Sequence, residues 1–318
     1  MRALVTGGAG FIGSHLAESL LGAGYGVHVI DDLSGGRERN LTAVAADSRF
    51  RMTRDTVLNE SLIDEAIAEA DIVFHLAAAV GVQQILDRPL TSLITNLRGT
   101  EIVLHAADKH KKSVIIASTS EVYGKNDHAP LREDADRILG SSMLSRWHYA
   151  TAKAADEALA LAYHEERGVA TMIVRFFNTI GPRQTGQYGM VVPRLVGQAI
   201  RNERLTVYGD GQQTRCFTDV HDVVRALIAL AECRAAWGEI VNIGGRYEIS
   251  IEELARRIIQ LVGSRSEIVR IPYAEAYARG FEDMRRRVPD VSKLSRLVGF
   301  APETCLDETL QGIIRSIE

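Results

Sequence analysis

The sequence predicts an α/β protein built on a doubly wound parallel sheet, with a smaller mixed part toward the C-terminus. Three observations indicate this class. Short apolar runs alternate with helix-like stretches through the first half of the 318 residues. A glycine-rich turn joins the first predicted strand to the first predicted helix. After about Phe176 the alternation stops, and glycine and proline become frequent.

Five apolar runs in the first half are predicted strands: Ala3–Val5, Val27–Ile30, Ile72–Leu76, Val114–Ala117 and Met172–Val174. Continuous apolar runs of this length suit parallel strands that are covered on both faces. Helix-like stretches lie between them, at His15–Leu21, Leu62–Ala70, Ile94–Ala107 and Ala150–Glu166. The repeated strand–helix unit predicts an open sheet that binds ligands at the carboxyl ends of its strands.

Residues 1–176 are predicted to form the sheet domain, and residues 177–318 a smaller substrate-binding domain, with some segments crossing between the two. The second part has helical patterns at Leu195–Arg201, Val220–Leu230 and Ile251–Leu261. It has strand patterns at Leu205–Tyr208 and Ile240–Ile243. No internal repeat or disordered linker separates the parts, so we expect them to pack against each other.

Composition and charge argue against several classes of partner. The 37 basic and 41 acidic residues give a net charge of −4 with no basic face for nucleic acid or anionic lipid. No apolar run is long enough to cross a bilayer and no signal-peptide pattern opens the sequence, so a cytoplasmic protein is expected. Cys216, Cys233 and Cys305 lack metal-ligand spacing and are expected to be reduced structural thiols, without a metal site.

The glycine-rich turn places Gly7, Gly10 and Gly13 between the first strand and the first helix. Glycine allows a tight turn and a close approach of the main chain to a pyrophosphate, which then lies at the positive end of the helix dipole. Glycine-rich turns also occur for packing reasons alone. In this strand-to-helix context, however, the pattern predicts a dinucleotide site of the Rossmann type.

A carboxylate follows the second predicted strand, about eighteen residues past Gly13. At this position a carboxylate accepts hydrogen bonds from a ribose diol and repels a 2′-phosphate. The sequence therefore favours NAD over NADP. Asp31 is the stronger candidate, and the adjacent Asp32 is either a second contact or a solvated neighbour.

Tyr149 and Lys153 lie four residues apart on a predicted helix, so their side chains face the same side. A nearby ammonium group stabilises a phenolate and lowers a tyrosine pKa that is ordinarily about 10. The tyrosine then accepts a substrate hydroxyl proton while hydride leaves for NAD. Thr119 follows the strand Val114–Ala117, where its hydroxyl can hold the same substrate oxygen.

Several further motifs occur in order along the chain: Ser118–Gly124, Arg175–Asn178, Gly181–Arg183 and Leu205–Gly209. Together with the glycine loop and the Tyr149–Lys153 pair, they make the sequence resemble the extended short-chain dehydrogenase/reductase family of nucleotide-sugar enzymes. The resemblance covers nearly the whole length. It implies that Tyr149 is the base, that Lys153 contacts the cofactor ribose and that Thr119 orients the reacting C4 hydroxyl.

The same resemblance implies further binding residues. For the cofactor these are Phe11, Ile12, Asp55, Thr56 and Leu76, with Asp55 near the adenine. For the sugar nucleotide they are Asn178, Val192, Tyr208, Arg215 and Arg287. The planar donor fork of Arg215 matches the oxygens of a diphosphate, and a solvent-exposed arginine is the alternative interpretation.

The residues after Thr119 discriminate among reactions that share oxidation at C4. The 4-epimerases that this sequence is similar to usually carry small or neutral residues there, whereas this chain has Ser120 and Glu121. Dehydratases of the dTDP-glucose type usually have aspartate at the first of these positions. GDP-mannose-type dehydratases share Thr-Ser-Glu but generally use NADP, which Asp31 disfavours.

The resemblance is greatest to UDP-glucuronic acid decarboxylases, which share Thr-Ser-Glu-Val-Tyr-Gly, the Arg-x-x-Tyr of Arg146–Tyr149 and the Arg-x-Pro of Arg287–Pro289. It implies oxidation at C4, loss of the carboxylate as carbon dioxide and reduction of the 4-ketopentose to UDP-xylose. Arg287 is the candidate to supply charge or a proton, although the adjacent Arg285 and Arg286 leave the alignment open. Glu121 is expected to force the substrate carboxylate out of the sugar plane.

Two segments depart from many decarboxylases: Ala150–Ala152 and Gln184–Met190. The alternatives are release of the 4-keto sugar, 4-epimerisation of UDP-glucuronate or UDP-glucose, and 4,6-dehydration. A regulatory NAD-binding protein is the non-enzymatic alternative, against which the presence of Thr119, Tyr149 and Lys153 argues. The resemblance also implies a homodimer formed through two helices of the N-terminal domain, including the one that bears Tyr149.

Overall fold

The computed structural model describes residues 1–80, 88–186, 190–276 and 284–317. Residues 187–189 of the segment Gln184–Met190, which is expected to differ from the decarboxylases, lie outside these ranges. Within the described ranges no helix is both long and apolar enough to cross a membrane. Cys216, Cys233 and Cys305 are free thiols.

The described residues form fourteen strands. Seven of them belong to the N-terminal half or to the segment that follows it directly: β1 (Arg2–Thr6), β2 (Gly26–Ile30), β3 (Phe50–Thr53), β4 (Ile72–His75), β5 (Ser113–Thr119), β6 (Thr171–Phe176) and β7 (Thr179–Ile180). Seven follow: β8 (Leu205–Tyr208), β9 (Thr214–Cys216), β10 (Thr218–Asp219), β11 (Ile240–Ile243), β12 (Glu248–Ser250), β13 (Ile268–Ile271) and β14 (Arg286–Arg287).

The described residues also form ten α-helices: α1 (Phe11–Gly22), α2 (Glu60–Glu69), α3 (Pro89–His110), α4 (His148–Arg167), α5 (Val191–Ile200), α6 (Val220–Glu232), α7 (Ile251–Val262), α8 (Tyr273–Ala276), α9 (Ser292–Val298) and α10 (Leu306–Ile317). Short 3-10 turns include Ser120–Tyr123 and Ser145–Trp147. Both turns lie beside the predicted reacting residues.

Seven parallel strands form the central sheet in the order β11-β6-β5-β4-β1-β2-β3. From β1 the chain first builds outward through β2 and β3, then returns to add β4, β5, β6 and β11 on the other side. The strand order therefore reverses between β1 and β4, where an open sheet forms a ligand-binding crevice at its carboxyl edge. The predicted doubly wound Rossmann-type fold is confirmed.

Two apolar layers cover the two faces of this sheet. Along β1, Ala3 and Val5 contribute to one core and Leu4 to the other, as the two-residue period of a strand requires. The first core contains residues of α1 and α6, and the second contains residues of α2, α3 and α4. Burial on both faces explains why these strands are continuous apolar runs in the sequence.

The strand Ile240–Ile243, predicted within the second part, lies in the central sheet beside β6. The helix that precedes it, α6, packs against α1. The remaining C-terminal elements form a separate core from α5, α7 and α10 around the parallel pair β8–β13. The chain thus crosses back to the first sheet before it builds most of the second part.

A buried ion pair joins α4 to this sheet. The guanidinium of Arg175 on β6 lies 2.7 Å from the carboxylate of Glu157 on α4, and both side chains are only 4% exposed. Glu157 also accepts a 2.5 Å hydrogen bond from Ser118 at the end of β5. The Arg175 guanidinium donates to the hydroxyl of Tyr123 as well. These bonds fix the helix relative to the carboxyl ends of two central strands.

We expect Arg175→Met to lower the free energy of unfolding by roughly 3–5 kcal/mol, because it leaves the Glu157 carboxylate buried without a cation. Chemical denaturation measures this loss. Arg201→Met is the control, since its ion pair with Glu203 is exposed on both sides and its removal should have no measurable effect. Equal stabilities of the two variants would contradict the assigned importance of the Arg175–Glu157 pair.

Candidate active site

The glycine loop has the geometry of a main-chain anion site. Gly7 has a φ of +70°, and a Cβ atom on it would lie 2.8 Å from the main chain of Ala77 after β4. A Cβ atom on Gly13 would lie 2.3 Å from the carbonyl oxygen of Gly7. Gly10 caps α1 without a side-chain hydrogen bond. The N–H groups of the first turn are therefore open to a pyrophosphate, so these residues fit a dinucleotide.

Asp31 and Asp32 have different environments. Asp31 is 7% exposed, and its carboxylate accepts hydrogen bonds from the N–H groups of Ala9 in the glycine loop (2.9 Å) and of Leu33 (2.8 Å). Burial raises the pKa of Asp31, and these hydrogen bonds oppose the shift. Asp32 is exposed, and its carboxylate accepts a hydrogen bond from the N–H of Ser34. The geometry therefore favours Asp31 as the ribose ligand, with further acceptor positions on its carboxylate.

The other residues implied for the cofactor lie at the same edge of the sheet. Phe11 and Ile12 form the first turn of α1 and are partly buried. Leu76 directly follows β4, and its N–H donates to the main chain at the end of β1. Asp55 and Thr56 follow β3, the outermost strand on the side of β2. Parallel strands bring all of these positions to one edge.

The predicted reacting residues converge beside the end of β5. Thr119 ends this strand and caps the 3-10 turn Ser120–Tyr123. Its hydroxyl accepts a 3.2 Å hydrogen bond from the N–H of Glu121 in this turn. The helix α4 packs against this turn and against β5, and it presents Tyr149 and Lys153 one turn apart. The structure thus packs the helix that carries the phenol and the ammonium group against the strand and turn that carry the hydroxyl.

The charges around Tyr149 differ from the sequence-based expectation. Burial raises the pKa of Tyr149 far above its ordinary value, and the carboxylates of Glu121 and Asp156 raise it further. No lowering by Lys153 accompanies these shifts in the pKa of Tyr149. The Lys153 ammonium lies 3.0 Å from the Asp156 carboxylate, with both side chains 1% exposed, so its charge is paired with a carboxylate inside the protein.

Burial separates the three consecutive arginines. Arg285 and Arg286 are exposed and form ion pairs with Asp210 and Glu248. Arg287 is 6% exposed, and its guanidinium donates a 3.3 Å hydrogen bond to the hydroxyl of Ser120. Of the three, only Arg287 lies beside the turn that follows Thr119.

Glu121 lies between two arginines. Its carboxylate is 2.6 Å from the guanidinium of Arg146 and 3.9 Å from that of Arg287. Both guanidinium groups are buried, with 4% and 7% of their side chains exposed. The set holds two guanidinium groups and one carboxylate, so Glu121 is not an isolated negative charge in this site.

The residues implied for the sugar nucleotide occupy several positions in the second part. Arg215 is 8% exposed, which excludes a solvent-exposed arginine, and it is the register partner of Arg287 through β9 and β14. The side-chain amide of Asn178 donates to the carbonyl oxygen of Cys216 over 2.9 Å. Val192 is 1% exposed and its side chain belongs to the core, so only its main chain can face a ligand.

The ring of Tyr208, also implied for the sugar nucleotide, packs against a cation. The Arg194 guanidinium carbon lies 4.1 Å from the centre of this ring, within the range of cation–π contacts. Sequence reasoning did not single out Arg194 or Asp156, because neither belongs to a recognised spacing. Arg146 was noted only as part of a motif.

Comparisons with known proteins agree with this geometry. Residues 4–313 match the family model described as GDP-mannose 4,6 dehydratase. The chain belongs to this family. Among its relatives, a UDP-N-acetyl-α-D-glucosaminuronate decarboxylase of Bacillus cytotoxicus is 42% identical, over 99% of this chain and 97% of that protein. A UDP-glucuronic acid decarboxylase 1 of Xenopus tropicalis is 36% identical, over 98% of this chain and 71% of that protein.

Solved structures of the extended short-chain dehydrogenase/reductase type share the whole fold. A UDP-glucose 4-epimerase of Thermotoga maritima with UDP-glucose has a TM-score of 0.89 at 30% identity, covering 100% of this chain and 98% of its own. A UDP-glucuronic acid 4-epimerase of Bacillus cereus with UDP-glucuronic acid and NAD has a TM-score of 0.90 at 31% identity, covering 100% and 99%. The fold therefore accompanies both epimerases and decarboxylases.

A buried histidine lies between the cofactor edge of this family's fold and Lys153. His75 ends β4 and is 1% exposed. Its Nδ1 atom is 2.8 Å from the hydroxyl of Thr6, and its Nε2 atom is 3.2 Å from that of Thr100. Burial, and secondarily the charge of Lys153, lower the pKa of His75 from 6.5 to about 3. The imidazole is therefore neutral at working pH.

Because of His75, the folded chain should become less stable as the pH falls. Between pH 6.5 and about 3 the unfolded chain binds a proton at His75 that the folded chain does not bind. The free energy of unfolding is therefore highest above pH 6.5 and decreases as the pH falls, by up to roughly 4 kcal/mol in total. We expect His75→Gln to flatten the pH dependence of the free energy of unfolding in this range. The exposed His128→Gln is the control, and an unchanged slope in His75→Gln would oppose this assignment.

Proposed function

We propose that this chain is an NAD-dependent decarboxylase of a UDP-hexuronic acid, with UDP-glucuronic acid as substrate and UDP-xylose as product. One observation carries the proposal: two buried guanidinium groups, of Arg146 and Arg287, lie on either side of the Glu121 carboxylate beside Thr119 and Tyr149. Such a set suits a sugar that bears a carboxylate at C6. Neutral hexoses offer it no charged partner.

The residues at the cofactor edge support NAD as the cofactor. The open N–H groups of α1 suit the pyrophosphate, and the buried Asp31 suits an unphosphorylated ribose. When bound, NAD supplies a hydride acceptor that is reduced and then reoxidised within one catalytic cycle. Tyr149 and Lys153, on the same face of α4, serve the substrate hydroxyl and the ribose.

In the proposed reaction, Thr119 orients the C4 hydroxyl and Tyr149, in its phenolate form, accepts the hydroxyl proton as the hydride leaves C4. The resulting ketone lies β to the carboxylate. The C5–C6 bond then breaks, carbon dioxide leaves, and the bonding electrons move toward the C4 oxygen. A proton is taken up at C5 on the side of Arg287. Return of the hydride to C4 and of the proton from Tyr149 gives the pentose.

A second substrate follows from one comparison. The 42% identical Bacillus cytotoxicus relative is named for UDP-N-acetyl-α-D-glucosaminuronate, which carries the same carboxylate and differs from UDP-glucuronic acid at C2. The charged set beside Thr119 suits either acid. A 4-epimerase of UDP-glucuronic acid is the alternative from the Bacillus cereus neighbour, but epimerisation needs no group that drives carboxylate loss.

Product analysis tests the proposal. Purified protein with NAD is given each uronic acid labelled with 13C at C6, and NMR follows labelled carbon dioxide and the sugar product. We expect carbon dioxide and a UDP-pentose, and at least about a hundredfold slower turnover in Tyr149→Phe, which lacks the proton acceptor. UDP-galacturonic acid as sole product from UDP-glucuronic acid would reject the decarboxylase in favour of the epimerase.

Glu121→Gln should slow carbon dioxide release roughly a hundredfold, or about 3 kcal/mol of transition-state stabilisation, without weakening substrate binding. Without the Glu121 anion, Arg146 and Arg287 hold the carboxylate more strongly, whereas its charge must move to the C4 oxygen as the bond breaks. Transient NADH and labelled carbon dioxide are measured together. Glu248→Gln, whose partner is the exposed Arg286, is the control. An unchanged release rate would remove Glu121 from this step.

A further inference from the structure

Asp156 is a buried acid to which the proposed reaction gives no role. It lies one turn after Lys153 on α4, and its carboxylate is 3.0 Å from the lysine ammonium. Each of the two side chains is 1% exposed. Burial raises the pKa of Asp156, whereas Lys153 and the Thr100 hydroxyl act to lower it. A pair so enclosed is costly unless each charge has its partner, so the two charges depend on each other.

A chain of hydrogen bonds leads from the cofactor edge as far as Thr100, beside this pair. The N–H of Ala77, which contacts the glycine loop, donates to the hydroxyl of Thr6 over 3.3 Å. Thr6 lies 2.8 Å from His75, which lies 3.2 Å from Thr100. Thr100 in turn interacts with the Asp156 carboxylate.

The Thr100 hydroxyl lies close enough to favour the Asp156 anion, although the Oδ1 atom of Asp156 has no hydrogen-bond partner among the described residues. The Oδ2 atom accepts from Lys153. The ammonium is therefore the group that directly balances the buried carboxylate.

The other ionisable and polar groups around α4 are already engaged elsewhere. Glu157 pairs with Arg175 of β6 and with Ser118 of β5. Glu121 pairs with Arg146, and both belong to the 3-10 turns that pack on α4. Asp156 is therefore the carboxylate that directly contacts Lys153.

We propose that Asp156 is a positioning residue that holds the Lys153 ammonium in place and, by balancing the lysine charge, limits how strongly the ammonium favours the Tyr149 phenolate. The inference rests on the roles of Tyr149 and Lys153 in the proposed function. Replacing Asp156 by asparagine removes an anion near the phenol and leaves the lysine charge unbalanced. Both changes favour the phenolate.

The test is the ionisation of Tyr149 in the protein saturated with NAD. The nine tyrosines are labelled with 13C at Cζ, and Tyr149→Phe assigns the signal. We expect the ionisation midpoint of Tyr149 to fall by about one pH unit in Asp156→Asn and to return toward the wild-type value in Asp156→Glu. Asp108→Asn, which removes a partly exposed carboxylate at the same three-residue spacing from Lys111 at the end of α3, should leave the Tyr149 midpoint unchanged. An unmoved midpoint in Asp156→Asn overturns the proposal.

A second comparison tests the Lys153–Asp156 pair even if Asp156→Asn alone fails to fold. Lys153→Met leaves Asp156 buried without a cation, so Lys153→Met/Asp156→Asn should unfold at a higher denaturant concentration than Lys153→Met alone. The same or a lower concentration overturns the pairing. Neither measurement uses a sugar substrate. Failure of both uronic acids to react would therefore count against the proposed function, and an unmoved Tyr149 midpoint against the role of Asp156.

Discussion

The ion pair between Arg175 and Glu157 is the constraint on which the candidate site depends. It joins β6 to α4 inside the protein, and Glu157 also binds Ser118, the residue before Thr119. Lys153 lies one turn before Glu157 on α4, and Tyr149 lies one turn before Lys153. A shift of α4 along the sheet would break a buried charge pair, which is unfavourable by several kcal/mol. The positions of the hydroxyl, phenol and ammonium groups are therefore set by contacts that take no part in the chemistry.

Most of the central fold could be predicted because its strands are covered on both faces. Burial on both sides requires an unbroken apolar run, and the helices between the runs give a clear alternation. The position of β11 could not be predicted in this way. Its residues Ile240–Ile243 have the same apolar pattern in either sheet, and strand order depends on contacts with β6 that the local sequence does not encode. Short strands such as β14, with two residues, have too little pattern to detect.

The candidate site divides in the same way. Motifs with fixed spacing located the glycine loop, Asp31, and the Tyr149–Lys153 pair, since each spacing reflects local backbone geometry. Charge balance is not local. The partner of Glu121 is Arg146, 25 residues away, and Asp156 could be recognised as the partner of Lys153 only from its burial. Among Arg285, Arg286 and Arg287, identical side chains became distinguishable only through exposure.

The structure keeps two charged sets apart within one site. Near the end of β5, the buried guanidinium groups of Arg146 and Arg287 lie on either side of Glu121, an arrangement that suits the proposed substrate carboxylate. On α4, Lys153 and Asp156 are neutral as a pair beside the phenol. An excess cation next to Tyr149 would favour its phenolate, and a neutral set beside the carboxylate would bind it weakly. Glu121 raises the pKa of Tyr149 and also lies 3.9 Å from Arg287. Its charge therefore affects both proposed steps, the oxidation at Tyr149 and the loss of the carboxylate beside Arg287.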